Sequence, residues 1–353
     1  MSFSRIDLIT LTNEADMSQP GLFDQQIILK RRDKKGDPLA RLNSVVKWDI
    51  FLPTIVAALQ KNRKSAAGRK PFEPLLMFRM LILQSLYKMS DDDAEDIVDD
   101  RAAFRRFVGL ENSDKAPDAG TIWRFREALT RAGVIQELFD AFDRHLTEQG
   151  FQAVKGQIVD ASIVAVPRQR NSREENEAIK AGEMPDWPEA KRRQKDVDAR
   201  WTKKNGKSYF GYKNHVSVDV KHKLIRAFSV TAASAHDSRV CEELLRENTS
   251  RDVWMDSAYG SEERRQALSA AGYRAHIQRK GRRDHPLSDW EKQGNRTRAR
   301  IRSRVEHVFG AQLARAGRVL VRTIGLARAT VKIGLMNLAY TMGRLGFLMR
   351  ARG

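Results

Sequence analysis

The chain has 353 residues, 41% hydrophobic and 31% charged, enough for one large or two medium domains with real cores. Its 64 Lys and Arg against 45 Asp and Glu leave a formal charge of +19, and the physical consequence of such a field is attraction to polyanions, nucleic acid first among them. The single cysteine, Cys241, excludes an internal disulfide and a cysteine-cage zinc site.

In chain order, residues 1–70 are polar and mixed, with basic runs at Lys30-Arg31-Arg32, Lys34-Lys35 and Lys61 to Lys64, and read as an arm with short helices. The start at Met1 has no signal-peptide core, which argues for a cytoplasmic protein. From Pro74, Leu75, Phe78, Leu81, Ile82, Ser85 and Leu86 recur at three-and-four spacing and predict a helix to about Lys88. Ser90 then starts another, with Asp91, Asp92 and Asp93 in its first turn; capping and the helix dipole account for that acidic run without a metal. Further helices are predicted over Arg101 to Val108, Asp118 to Arg131 and Val134 to Gln149. Thr121, Trp123, Arg124 and Arg126 suit either a DNA-reading helix or the solvated face of a core helix, and both readings stay open. Residues 71–150 are thus expected to be a helical domain for DNA-end binding or dimerisation.

After Gly150 the period becomes strand-like. Gln157 to Val164 reads as a strand, and Tyr209 to Val220 alternates, with Phe210, Tyr212, Asn214, Val216 and Val218 facing one way. A turn at Lys221-His222-Lys223 leads back through Leu224 to Thr231 as a hairpin. Then come a helix Asp237 to Arg246, a strand Asp252 to Asp256, a helix Ser261 to Ala271, a strand near Ala275 to Gln278 and a final amphipathic helix carrying Glu306. This succession describes an α/β mixed sheet with flanking helices over residues 151–320. A charged insertion, 168–208, lacks any apolar period and reads either as a solvated loop or, with Trp187, Trp201, Lys203 and Lys204, as a DNA-contacting element. In the last segment, 321–353, the stretch Ile333 to Met349 is interrupted by Asn337 and Arg344, so it reads as a buried helix on the catalytic domain and not as a membrane span.

Three acids stand out. Asp160 and Asp256 lie in or at the end of short apolar runs, where an unpaired carboxylate is costly if buried. If their strands are neighbours, the two can meet, since adjacent strands lie about 4.8 Å apart. Ile301, Val305, Val308, Phe309 and Leu313 form an apolar stripe, and Glu306 falls on its border, placed to look along the sheet edge. The competing readings are a surface pair of Glu306 with Arg302, a helix cap for Asp256 and a turn residue for Asp160. An acidic trio in a basic chain suggests two metal ions acting on a nucleic-acid phosphate. Basic residues on the approach, Lys203, Lys204 and Lys213 on the segments leading into the second strand and Arg298, Arg300 and Arg302 before Glu306, suggest a DNA path, with Trp201, Arg124 and Arg126 as further contacts.

The chain resembles a bacterial insertion-sequence transposase of the DDE type, in the insertion sequence five group. The likeness runs through Gln19-Pro20-Gly21-Leu22-Phe23-Asp24, the helical region Pro71 to Leu129, Val159-Asp160-Ala161-Ser162, Tyr209 to His215, His236-Asp237-Ser238, Asp256-Ser257-Ala258-Tyr259-Gly260 and Arg302 to Glu306. The resemblance implies an RNase H-like catalytic domain in which Asp160, Asp256 and Glu306 are the catalytic, metal-holding triad. It also implies Mg²⁺ as cofactor, with Mn²⁺ substituting, and cleavage at the element's ends followed by joining of the 3′-OH to target DNA. The implied partners are double-stranded DNA with inverted-repeat ends, target DNA and a second copy of the chain in the DNA complex, in a bacterial cytoplasm at the nucleoid. Ala299 and Leu313 stand where the family's signature has tyrosine and lysine. His215, His236 and His307 are left outside the triad. A nuclease of the same fold that cuts without joining, and a repurposed DNA-binding protein, remain as alternatives.

Overall fold

The computed structural model describes residues 29–31, 34, 36–60, 70–111, 113–204, 206–314 and 321–352. Residues 1–37 form one unit, helical at 29–31 where described, and Pro38–Gly353 form another. The Gln19 to Asp24 motif and the basic run Lys61 to Lys64 lie outside the described residues.

The larger unit begins with helices α1 (Pro38–Val45), α2 (Leu52–Leu59), α3 (Pro74–Tyr87), α4 (Asp91–Asp100), α5 (Ala102–Val108), α6 (Ala119–Ala132) and α7 (Ile135–Glu148). The acidic start of α4 is a reciprocal cap: Asp93 donates its backbone N–H to Ser90 Oγ (3.0 Å) and accepts from the Ser90 N–H (3.0 Å). Asp118 caps α6 through the Thr121 N–H at 2.7 Å.

Strand β1 (Gln157–Ala165) is followed by the insertion, which is ordered and not the aperiodic loop that its composition suggested. It holds α8 (Arg173–Ala181), the single turn α9 (Glu189–Arg192) and β2 (Arg200–Lys204). Trp187 is buried there and donates its ring N–H to Glu175, so it supports the insertion and offers no face to DNA. Next come β3 (Lys207–Asp219), β4 (Ile225–Ala232), a 3-10 turn Asp237–Val240 with α10 (Cys241–Leu244) where a longer helix was expected, β5 (Asp252–Met255), α11 (Glu262–Ala270) and β6 (Arg274–Ile277). The expected Glu306 helix is two, α12 (Asp289–Arg302) and α13 (Arg304–Ala314), meeting at Ser303. The last element is α14 (Leu326–Arg350).

The sheet runs β2-β3-β1-β5-β6, with β4 also on β3. β3 is antiparallel to β1 and to β4, whereas β5 and β6 run parallel to β1. An antiparallel hairpin group flanked by parallel strands is the RNase H-like arrangement expected. Both faces are covered. Val159, Val253, Met255 and Ile277 pack with α10 and Leu268 on one side, and Val164, Tyr212 and Phe210 pack with Ile333 and Met336 of α14 on the other. β3 buries polar side chains on both faces, Asn214 on the Tyr212 side and His215, Ser217 and Asp219 on the other, all at 0% exposure.

Helix α14 packs on the sheet and on the helical region alike. Arg328 grips Glu127 of α6 with two hydrogen bonds, and a Cβ added at Gly334 would lie 2.4 Å from Ile135 of α7 and 2.8 Å from Phe228 of β4. Asn337 exchanges two 3.0 Å hydrogen bonds with Asn214 of β3 and accepts one from Gln312 of α13 at 2.9 Å. These amides are fully or nearly fully buried, so their mutual satisfaction fixes where α13 sits.

Candidate active site

Strands β1 and β5 pair through Gln157↔Val253 and Ile158↔Trp254. Asp160 and Asp256 therefore each stand two residues past the last pair, at the open end of the parallel ladder, while β1 stays paired with antiparallel β3 on its other side (Asp160↔Val216). Asp160 is part of β1, and its Oδ1 accepts the Ala161 N–H at 2.8 Å. Asp256 follows β5, and its Oδ1 accepts the Ala258 N–H at the head of a 3-10 turn, Ser257–Tyr259. It is thus a cap after all, while Ser261 caps α11 through the Arg264 N–H.

Burial pushes the Asp160 carboxyl above the usual carboxylate range; Arg302 and the Ala161 amide pull it back, and the nearby negative charge of Asp256 pushes it up further. The Arg302 Nε–H donates to Asp160 Oδ2 at 3.2 Å, and its NH1 donates to Gln278 Oε1 at the end of β6. Lys204, at the end of β2, also lies near enough for its charge to favour the Asp160 carboxylate. Behind the pair, the Tyr259 hydroxyl is buried without a hydrogen-bond partner, and burial followed by the charges of Asp237, Asp160 and Asp256 makes it harder to ionise.

This chain belongs to the transposase DDE-domain family. The family model "Transposase DDE domain" matches residues 155–342, more than half of the chain, and a second, "Transposase domain", matches 27–128. A solved structure is also similar, the cryo-EM structure of the piggyBac transposase synaptic complex with hairpin DNA, with 13% identity, a TM-score of 0.46 and coverage of 88% of this chain and 75% of that one. The protein is a DNA transposase of the DDE type, an enzyme of a family that works with divalent metal ions.

The residues present suit such an ion in part. Asp160 and Asp256 supply hard carboxylate oxygens, and the orphaned Tyr259 hydroxyl beside them is a polar group still wanting a partner. Glu306 is exposed on the first turn of α13, and among the described residues no three His, Cys, Asp or Glu side chains come together closely enough to hold a metal. Val305 and Val308 are buried as the stripe predicted, but Leu313 is 46% exposed.

The expected DNA contacts divide. Lys203 and Lys204 are exposed, Trp201 is 46% exposed against Phe210, and Arg300 and Arg124 are exposed. Arg126 is not available: it is 5% exposed and clamps Asp91 with two hydrogen bonds, because α6 turns it inward onto α4. Lys213 is likewise committed, 2.7 Å from Asp237 and donating to the Ala235 carbonyl at 2.7 Å. His215 is buried beside Thr231, and burial lowers its pKa to about 4. His236 accepts the Ser238 N–H at a turn, and His307 is exposed. The sequence reading missed the Arg302–Asp160 pair by weighing Arg302 only against Glu306 and DNA, and it passed over Tyr259 although Asp256-Ser257-Ala258-Tyr259 was in view.

Proposed function

We propose that Asp160, Asp256 and Glu306 are the catalytic and metal-holding residues of an insertion-sequence transposase of the insertion sequence five group, which cuts at the element's ends and joins the 3′-OH to target DNA. The observation that carries this reading is the meeting of Asp160 and Asp256 at the open parallel edge of the sheet, close enough for one carboxylate to resist the ionisation of the other. Two such acids in a basic chain serve phosphate chemistry better than stability, since burying the Asp160 charge costs desolvation energy. Glu306, one turn past Arg302 and held on α13 by the Gln312–Asn337 bond, is the third ligand of this proposal.

Asp160, Asp256 and Glu306 would hold two Mg²⁺ ions, or Mn²⁺ in their place, which would lower the pKa of an attacking water and offset charge on the leaving 3′-oxygen. The chain's own residues do the rest. Arg302 holds Asp160 in its rotamer and neutralises it until the substrate and ions arrive, and Lys204 adds positive charge on the other flank. The same site then serves the freed 3′-OH as nucleophile. The helical region of residues 71–150 is proposed to hold the transposon end or a second protomer, since two ends must be kept together for joining, with residues 151–320 and α14 as the catalytic body. The setting is the bacterial cytoplasm, at the nucleoid.

The test is cutting and joining on a duplex oligonucleotide bearing the inverted repeats that flank the gene. Asp160→Asn and Asp256→Asn should bind it as the wild type does yet neither nick nor join, and wild-type activity should require Mg²⁺ or Mn²⁺. An Asp160→Asn protein that still cuts would refute the assignment, and wild-type nicking without joined product would make the protein a nuclease.

A further inference from the structure

The face of α12 that looks at the end of β6 carries Glu291, Asn295, Arg298 and Arg302 at helical spacing. Three of these four are engaged. Glu291 accepts from Arg279 NH1 at 2.7 Å, Asn295 holds the Arg279 backbone by both its N–H (2.9 Å) and its carbonyl (2.8 Å), and Arg302 binds Gln278 and Asp160. Arg298, between them, has no such partner. Its guanidinium folds back over Gly294, where an added Cβ would lie 2.9 Å from NH1, and its Nε–H is buried without an acceptor.

Two other guanidinium groups lie around the same end of β6. Arg279 is fixed by Glu291 and lies over the Trp290 ring at 5.5 Å. Arg265 of α11 lies by Gly260, whose added Cβ would be 3.8 Å from Arg265 NH2 and 3.6 Å from Ile277 of β6. Among the described residues neither Arg265 nor Arg298 makes an ion pair. The three charges are close enough that burial, then Arg279, then Arg265, disfavour the charged form of Arg298. Three cations brought together with one carboxylate among them are under mutual repulsion, and a multivalent oxyanion relieves it with charge-assisted hydrogen bonds.

We propose that Arg265, Arg279 and Arg298 form a seat for one backbone phosphate of the DNA strand entering the active site. Arg298 is one helical turn, about 5.4 Å, from Arg302, which touches Asp160, so the seat holds a phosphate neighbouring the one to be attacked. It sets the register of the strand and reads no base. This rests on the active-site reading above in its placement but not in its test.

The experiment measures affinity of the full chain for a duplex oligonucleotide across a salt series, without divalent metal. Each lost phosphate contact flattens the plot of log K against log salt by about 0.9. Arg298→Gln should lose about one such step, and the Arg265→Gln/Arg298→Gln double variant should lose the same single step, since both serve one phosphate. Without DNA, Arg298→Gln should melt higher than the wild type because repulsion is removed, and inorganic phosphate should raise the wild-type melting temperature more than the variant's. Asp160→Asn should keep the full slope and the full response to phosphate, so failure of the seat and failure of the catalytic assignment give different results. An unchanged slope in the double variant, or a double variant losing two steps, would overturn the single seat, as would an Arg298→Gln protein that melts lower than the wild type and responds equally to phosphate.

Discussion

Lys332 of α14 shows how one residue's chemistry follows from its surroundings. Burial, reinforced by Arg126 and Lys88, lowers its pKa from 10.5 to about 8, against the pull of Asp91. Between those two values the folded state binds fewer protons than the unfolded chain, so the residue's contribution to stability rises with pH through that window and is lowest below about pH 8. Lys332→Met should therefore stabilise the protein at pH 7 by roughly 1–3 kcal/mol, after allowance for partial screening. Thermal melts at pH 7 and pH 10 check this: the gain should shrink at the higher pH, and an equal gain at both would reject the account. Asp160 is the acidic counterpart, a carboxyl whose burial cost Arg302 and a backbone amide offset only in part, as expected where charge is kept for use.

At the scale of elements, α14 joins the parts, and its glycines show where contact is tight. Gly334 faces Ile135 and Phe228 at distances that leave no room for a Cβ, whereas a Cβ at Gly346 would meet nothing within 4 Å. Gly334→Val should lose about 2–3 kcal/mol by overpacking, and Gly346→Ala should gain up to about 1 kcal/mol from helix propensity. Denaturant titration of the two variants measures both signs, and a Gly334→Val protein as stable as the wild type would disprove the close approach. Strands β1 and β3 to β6 and helices α3 to α7 were legible because their apolar periods and capping residues are strong. The insertion was not, since its helices bury few residues: Ile179 is the buried residue of α8, and α9 buries none. The break at Ser303 was equally hidden, because the arginine-rich run on either side has the composition of one helix.

For the whole molecule, the charge of +19 sets how it meets DNA. The β2–β3 hairpin carries Lys203 and Lys204 at its tip beside Lys207, and Lys204 reaches the field of Asp160. Lys203→Ala and Lys204→Ala together should flatten the salt plot by up to about 1.8 if each meets a phosphate, weakening binding to all sequences alike. A double variant with the wild-type slope would move the DNA path away from the hairpin and toward Arg300 and Arg124. Among the described residues no single helix is long and apolar enough to cross a membrane.

The sequence by itself determined the class of fold, the acidic motifs and the polyanion-seeking charge, because periodicity, β-prone runs around an aspartate and net charge are local or additive properties. Which side chains meet was decided by tertiary structure. Arg126 and Lys213 look like free cations in a string of letters, yet helix packing and strand register turn them onto Asp91 and Asp237. Asp160 finds Arg302 across 142 residues of chain, and Arg265, Arg279 and Arg298 come from three segments. The reason is that a pairing depends on the relative placement of elements, which no single segment encodes.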